Sequence, residues 1–112
     1  MEVSLSAAPF GSPTRTRALI LLALLGSSYP RELARLLDQA VSVVQKALRS
    51  LERDGLVAAQ TVGRMRMYRV NPRYFARQEL DAYLRKLTAA QPDLDRRAAT
   101  LRRRPRASGK PL

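Results

Sequence analysis

The 112-residue chain contains no cysteine and no histidine. Those absences exclude disulfide staples, thiolate metal sites and imidazole ligands. They also remove the usual general bases, and the scattered Asp and Glu form no catalytic pair, so the chain reads as a non-enzyme with no metal and no cofactor. Acids are scarce too: nine Asp and Glu stand against 21 Lys and Arg, a formal charge of +12. Aromatics are few, four Tyr and two Phe, and the sequence offers no evident stacking platform of the kind that RNA-binding surfaces use. The longest apolar run, Ala18 to Leu25, has eight residues, whereas a bilayer span needs about 20. Arg15 and Arg17 ahead of that run resemble the flank of a signal peptide. No A-x-A-like site follows, however, and cleavage would remove a helix that the domain needs. The expectation is a cytoplasmic protein with no membrane partner.

What is present is positive charge, unevenly placed. From Arg96 onward there are seven cations and no acid, while Ser12 to Ala90 carries fourteen cations and six acids. A balance of this kind favours a polyanionic partner. The length allows one domain with a single core.

Punctuation divides that domain into elements. Residues 1–11 lack periodicity and read as a flexible arm. Ser12-Pro13 supplies an N-cap and a proline at the first helical position, opening a helix that runs to about Leu25 and stops at Gly26. That helix is apolar on every side. Pro30 opens a second helix to Leu37, with Glu32 in its first turn and Leu33, Ala34, Leu36 and Leu37 facing inward. Asp38-Gln39-Ala40 makes a turn. A third helix, Val41 to Arg53, sets Val44, Leu48 and Leu51 in a row beside Ala47. Ser42, Gln45, Lys46 and Arg49 fall on the opposite side.

Beyond Gly55, the stretches Leu56 to Val62 and Met65 to Val70 read as strands joined by Gly63-Arg64. Alternation sends Arg64, Arg66 and Arg69 outward and offers Met65, Met67 and Tyr68 for packing, although the pattern breaks at Tyr68-Arg69-Val70. Asn71-Pro72 is expected to open a last helix from Arg73 to about Ala90, with Ala76, Leu80, Tyr83, Leu84 and Leu87 as its stripe. Pro92 ends it, and residues 91–112 read as a disordered basic tail.

Helix, turn, helix and basic hairpin in that order specify a winged helix-turn-helix: mostly α with a small β-hairpin, a three-helix core plus wing over residues 12–90, and a C-terminal dimerisation helix. A helix of this kind fits the major groove of double-stranded DNA. Gln45 can pair with adenine, Lys46 can reach guanine or a phosphate, Ser42 is indifferent, and Val43 can touch a thymine methyl. Arg49 reaches a phosphate. Arg64, Arg66 and Arg69 on the hairpin suit backbone or minor-groove contact. One small core cannot cover both the apolar first helix and the amphipathic last one. A homodimer is therefore expected, with Leu19, Leu22, Leu80, Tyr83, Leu84 and Leu87 at its interface. The apolar residues Val41 and Val43 leave a second reading open, an adaptor that binds another protein through the same face.

The run RELARLLDQAVSVVQKALRSLERDGLV, followed by GRMRMYRVNP, resembles the winged-helix domain of bacterial and archaeal ArsR-like transcriptional regulators. It is also similar to the short winged-helix modules that accompany minimal nucleotidyltransferases. The resemblance covers roughly Thr14 to Leu87. It implies an α-α-α-α-β-β-α or closely similar topology, homodimeric operator binding, a repressor role, and a prokaryotic cytoplasm in which the bound protein is nucleoid-associated. Metal sensors of that family carry Cys pairs, or His and Asp, that this chain lacks, so the resemblance implies no metal-triggered release. Where the family usually has Ser or Thr ahead of the recognition helix, this chain has Ala40, forgoing a cap that contributes about 1 kcal/mol.

Overall fold

The computed structural model describes residues 9–103, with only the backbone at 102 and 103. Residues 1–8 of the expected arm, and Arg102 to Arg106 of the expected tail, lie outside what is described in side-chain detail. The elements run α1 (Pro13–Leu25), α2 (Pro30–Leu37), α3 (Val41–Arg53), β1 (Val57–Val62), β2 (Met65–Val70), α4 (Arg77–Ala89) and α5 (Pro92–Arg103). This is a winged helix-turn-helix, mostly helical with one two-stranded antiparallel hairpin.

Helix α1 begins where the Ser12 side chain accepts a hydrogen bond from the Arg15 backbone N–H, with Pro13 in the first turn. It ends at Gly26, whose φ of 88° is open to glycine and strained for a side chain. Ala18, Leu19, Ile20, Leu21 and Leu22 are all buried, so α1 is enclosed on every side. Its partners are α2, α3, α4, α5 and β2. Each such Leu or Ile stabilises the fold by roughly 1.5–3 kcal/mol through burial, which makes α1 the axis of the core.

The turn between α2 and α3 rests on Asp38, which adopts a left-handed conformation at φ 57°, a region that Asp tolerates better than most residues. Helix α3 follows with no side-chain cap at Ala40. Val44, Ala47, Leu48 and Leu51 are buried, as their helical spacing requires. Gly55, at φ 82°, closes α3, and the Leu56 N–H reaches back to the Leu51 carbonyl at 3.0 Å. Asn71 then staples the root of the hairpin: its Nδ2 donates to the Gly55 carbonyl and its backbone N–H to that of Leu56, each at 2.9 Å.

The hairpin pairs Val57 with Val70 and Val62 with Met65 around a two-residue turn. Gly63 has a φ of 63° and Arg64 does not share it, which matches a turn with glycine at the first central position. The pleat follows Tyr68 and Val70, which are buried, and this corrects the expected packing of Met65. Met65 is exposed and Met67 half-buried, on the outer face that Arg69 shares; Arg66 lies on the face of Tyr68. A bridge from the α1–α2 loop extends the sheet. Ser28 N–H donates to the Tyr68 carbonyl at 2.9 Å, and Tyr68 N–H returns the bond at 2.7 Å.

Three expectations about the chain ends are corrected. The last helix of the expected domain starts at Arg77, because Asn71 to Ala76 form turns in which Asn71 Oδ1 accepts from the Arg73 N–H. Pro92 begins α5 where a disordered tail was expected, and Leu94 and Ala98, one helical turn apart, are buried. Arg17 binds Asp93 at 2.9 Å and Arg97 donates to the Leu36 carbonyl, fixing α5 against α1 and α2. Phe10, inside the expected flexible arm, packs on Tyr83 with ring centroids 5.7 Å apart.

Because α5 closes the side of α1 left open in the expected core, one chain covers both apolar helices. Leu19, Leu22, Leu80, Leu84 and Leu87, expected at a dimer interface, are buried within the chain; of that set only Tyr83, at 43% exposure, reaches solvent. No helix among the described residues is long and apolar enough to cross a membrane.

Candidate nucleic-acid interface

The outer side of α3 is a mostly polar surface. Ser42, Val43, Gln45, Lys46 and Arg49 are all exposed, as is Arg53 one turn beyond Arg49. The same helical phase that buries Val44, Leu48 and Leu51 turns these residues away from the core. Val41 is half-buried and packed against the core, so the apolar patch considered for a protein partner reduces to Val43, at 42% exposure.

Electrostatics separates the cations into two sets. Arg15 bonds to Ser50 and pairs with Asp54 at 2.8 Å, tying the start of α1 to the end of α3, so its charge is matched internally. Lys46, Arg49 and Arg64 have no ion-pair partner among the described residues. A groove beside α3, lined by Thr14, Arg15, Val43, Lys46 and Ser50, leaves Lys46 at the edge of an open surface.

Arg66 connects the wing to α3. Its guanidinium donates to the Tyr68 hydroxyl at 3.2 Å and pairs with Glu52 at 2.8 Å. The Tyr68 hydrogen bond and then Glu52 raise its pKa above the ordinary arginine value, so it is cationic at any physiological pH. An exposed pair of this kind is weak enough for a phosphate to compete for the guanidinium. Arg64 sits at the exposed tip. Arg69 departs from this arrangement, since it lines a different cavity together with Arg77 and Arg85 of α4.

Sequence reasoning passed over two groups. Arg31 and Arg35 are exposed on α2, the helix preceding α3; their four-residue spacing on the polar side was the available signal. Phe75 is 91% exposed, with its ring 5.0 Å from that of Tyr74. This corrects the expectation that no aromatic ring stands free for stacking, and its signal was a Tyr-Phe pair in a turn after proline.

No family model matches the chain, and no curated protein matches it. Solved structures do. A single-site mutant of ZitR from Lactococcus lactis superposes with a TM-score of 0.53 at 21% identity over 72% of this chain and 58% of that one. A doubly substituted ZitR in its apo form gives 0.50 at 18%, over 70% and 64%. The adhesin competence repressor AdcR of Streptococcus pyogenes gives 0.53 at 18% identity, over 88% of this chain and 86% of its own. This chain thus spans less than two thirds of the length of ZitR and most of AdcR. At these identities the likeness is one of fold.

Proposed function

We propose that this protein is a transcriptional regulator of the repressor type that binds double-stranded DNA. In this reading α3 enters the major groove through Ser42, Val43, Gln45, Lys46 and Arg49, and the wing places Arg64 and Arg66 on the adjacent backbone or minor groove. The observation that carries it is the pairing of an outward polar flank on α3 with a cationic wing latched to that helix through Arg66 and Glu52. The ArsR-like affiliation rests on the sequence run from Arg31 to Pro72. The fold shared with a protein named as a repressor supports the regulatory role.

Replacing Arg64 and Arg66 together by alanine tests the wing. Duplex affinity is expected to fall, and the slope of log K against log salt to flatten by about 2, one unit for each phosphate no longer neutralised. An unchanged slope would assign the wing to something other than DNA. The homodimer belongs to the same proposal, its two copies of α3 set about 34 Å apart on an inverted repeat. Its interface falls on surfaces other than the buried leucines. Sedimentation equilibrium at micromolar concentration is expected to give the dimer mass; a monomer there removes the inverted repeat while leaving α3 in the groove.

The exposed Phe75 favours a second reading, contact with unpaired bases. Affinity for a duplex and for single-stranded RNA at matched salt separates the two. Preference for the duplex is expected.

A further inference from the structure

Behind the wing lies a concavity of about 440 Å³ that takes no residue from α3. Its lining joins the end of α1 to β2 and α4. Leu22 and Val70, both buried, form an apolar floor. Arg69 comes from β2, while Arg77, Asp81 and Arg85 follow one another at four-residue intervals along α4 and so share one face of it. Arg77 Nε donates to both oxygens of Asp81 at 2.9 Å, which leaves its terminal amino groups without a hydrogen bond among the described residues. Arg69 and Arg85 have no side-chain hydrogen bond or ion pair among the described residues. Three guanidiniums and one carboxylate thus surround a single cavity. Arg77 has Asp81 as its counter-charge, whereas the exposed Arg69 and Arg85 leave two charges at the cavity open to an anion.

We propose that this cavity is a binding site for a small organic dianion, one carrying a phosphate monoester or two carboxylates. Three arginines less one aspartate leave the lining at +2, which matches such a ligand, and guanidinium forks pair bidentately with either group. The volume lies within the roughly 300–1,000 Å³ of small-molecule sites, and the floor accepts the ligand's carbon skeleton. This assignment moves Arg69 from the DNA surface to the ligand. Because Arg69 belongs to the wing and Arg77 and Arg85 to α4, an occupied site joins the two. The effect of that joining on DNA rests on the function proposed above; the binding itself does not.

Calorimetric titration of the full chain, without DNA and at fixed ionic strength, tests the site, with phenyl phosphate in one arm and succinate in the other. Saturable binding of one ligand per chain is expected in at least one arm, and the stronger arm identifies the anionic group. Arg85→Ala should weaken that binding by about tenfold or more, through removal of a charge-assisted hydrogen bond. Arg31→Ala, exposed and outside the cavity, should change it less than about twofold. No saturation in either arm overturns the proposal, as does an equal loss from Arg31→Ala, which would mean diffuse attraction only. A third outcome overturns it as well: Arg85→Ala weakening a duplex as much as Lys46→Ala does, since the cavity would then be a flank of the DNA surface.

Discussion

Replacing Gln45, Lys46 and Arg49 together by alanine is expected to weaken duplex binding by about a hundredfold to a thousandfold with the fold intact. Each base or phosphate contact contributes roughly 1–3 kcal/mol, and tenfold in affinity is 1.4 kcal/mol, so three contacts at the low end reach that range. All three residues are exposed, and none makes an ion pair among the described residues. Alanine is also the best helix former, so α3 itself loses nothing. Separating the variants apportions the loss. Lys46→Ala and Arg49→Ala should cut affinity for every duplex and lower the salt slope, whereas Gln45→Ala should act on cognate sequence and leave the slope unchanged. If the triple variant binds duplexes as the parent does, the major-groove assignment fails and Val43 becomes the centre of a protein-binding surface.

That this face was legible in the sequence follows from the strength of its periodicity. Val44, Leu48 and Leu51 fix the phase of α3, and once the phase is fixed the outward residues follow without further information. The hairpin was harder. Methionine is apolar yet adaptable, so Met65 and Met67 looked like core residues, and with period two a single wrong assignment inverts the whole strand. Tyr68 decides the pleat, held by its two backbone bonds to Ser28, a pairing between segments forty residues apart that no local pattern signals. The same limit applied to the leucines of α1 and α4. Their hydrophobicity announced that something must cover them, and composition alone did not say whether that cover was a second copy or the chain's own C-terminal helix. The segment after Pro92 looked too polar to fold because only Leu94, Ala98, Ala99 and Leu101 interrupt the polar residues from Asp93 to Arg103. Two buried positions four residues apart suffice when the surface they meet is already apolar on every side.

Leu94→Ala is the variant that measures this. Leu94 has no exposed surface and belongs to the core that α1 organises, so its truncation should destabilise the whole fold by about 2–5 kcal/mol, the range for leucine removed from a packed core. That is a large part of the roughly 5–15 kcal/mol available to a domain of this size. In urea the midpoint should drop with little change in slope, because α5 unfolds together with the rest. Arg96→Ala, exposed on the same helix, should stay within about 0.5 kcal/mol of the parent. Asp93→Ala, which removes the partner of Arg17, should cost less than Leu94→Ala, about 1 kcal/mol, since that pair is only partly shielded from water. A midpoint for Leu94→Ala equal to the parent would mean that α5 stands apart from the core in solution. In that case α1 would be uncovered on the side where Arg17 meets Asp93, and that side would be available to a second subunit. The same denaturation curve therefore decides whether the chain's own α5 closes the core.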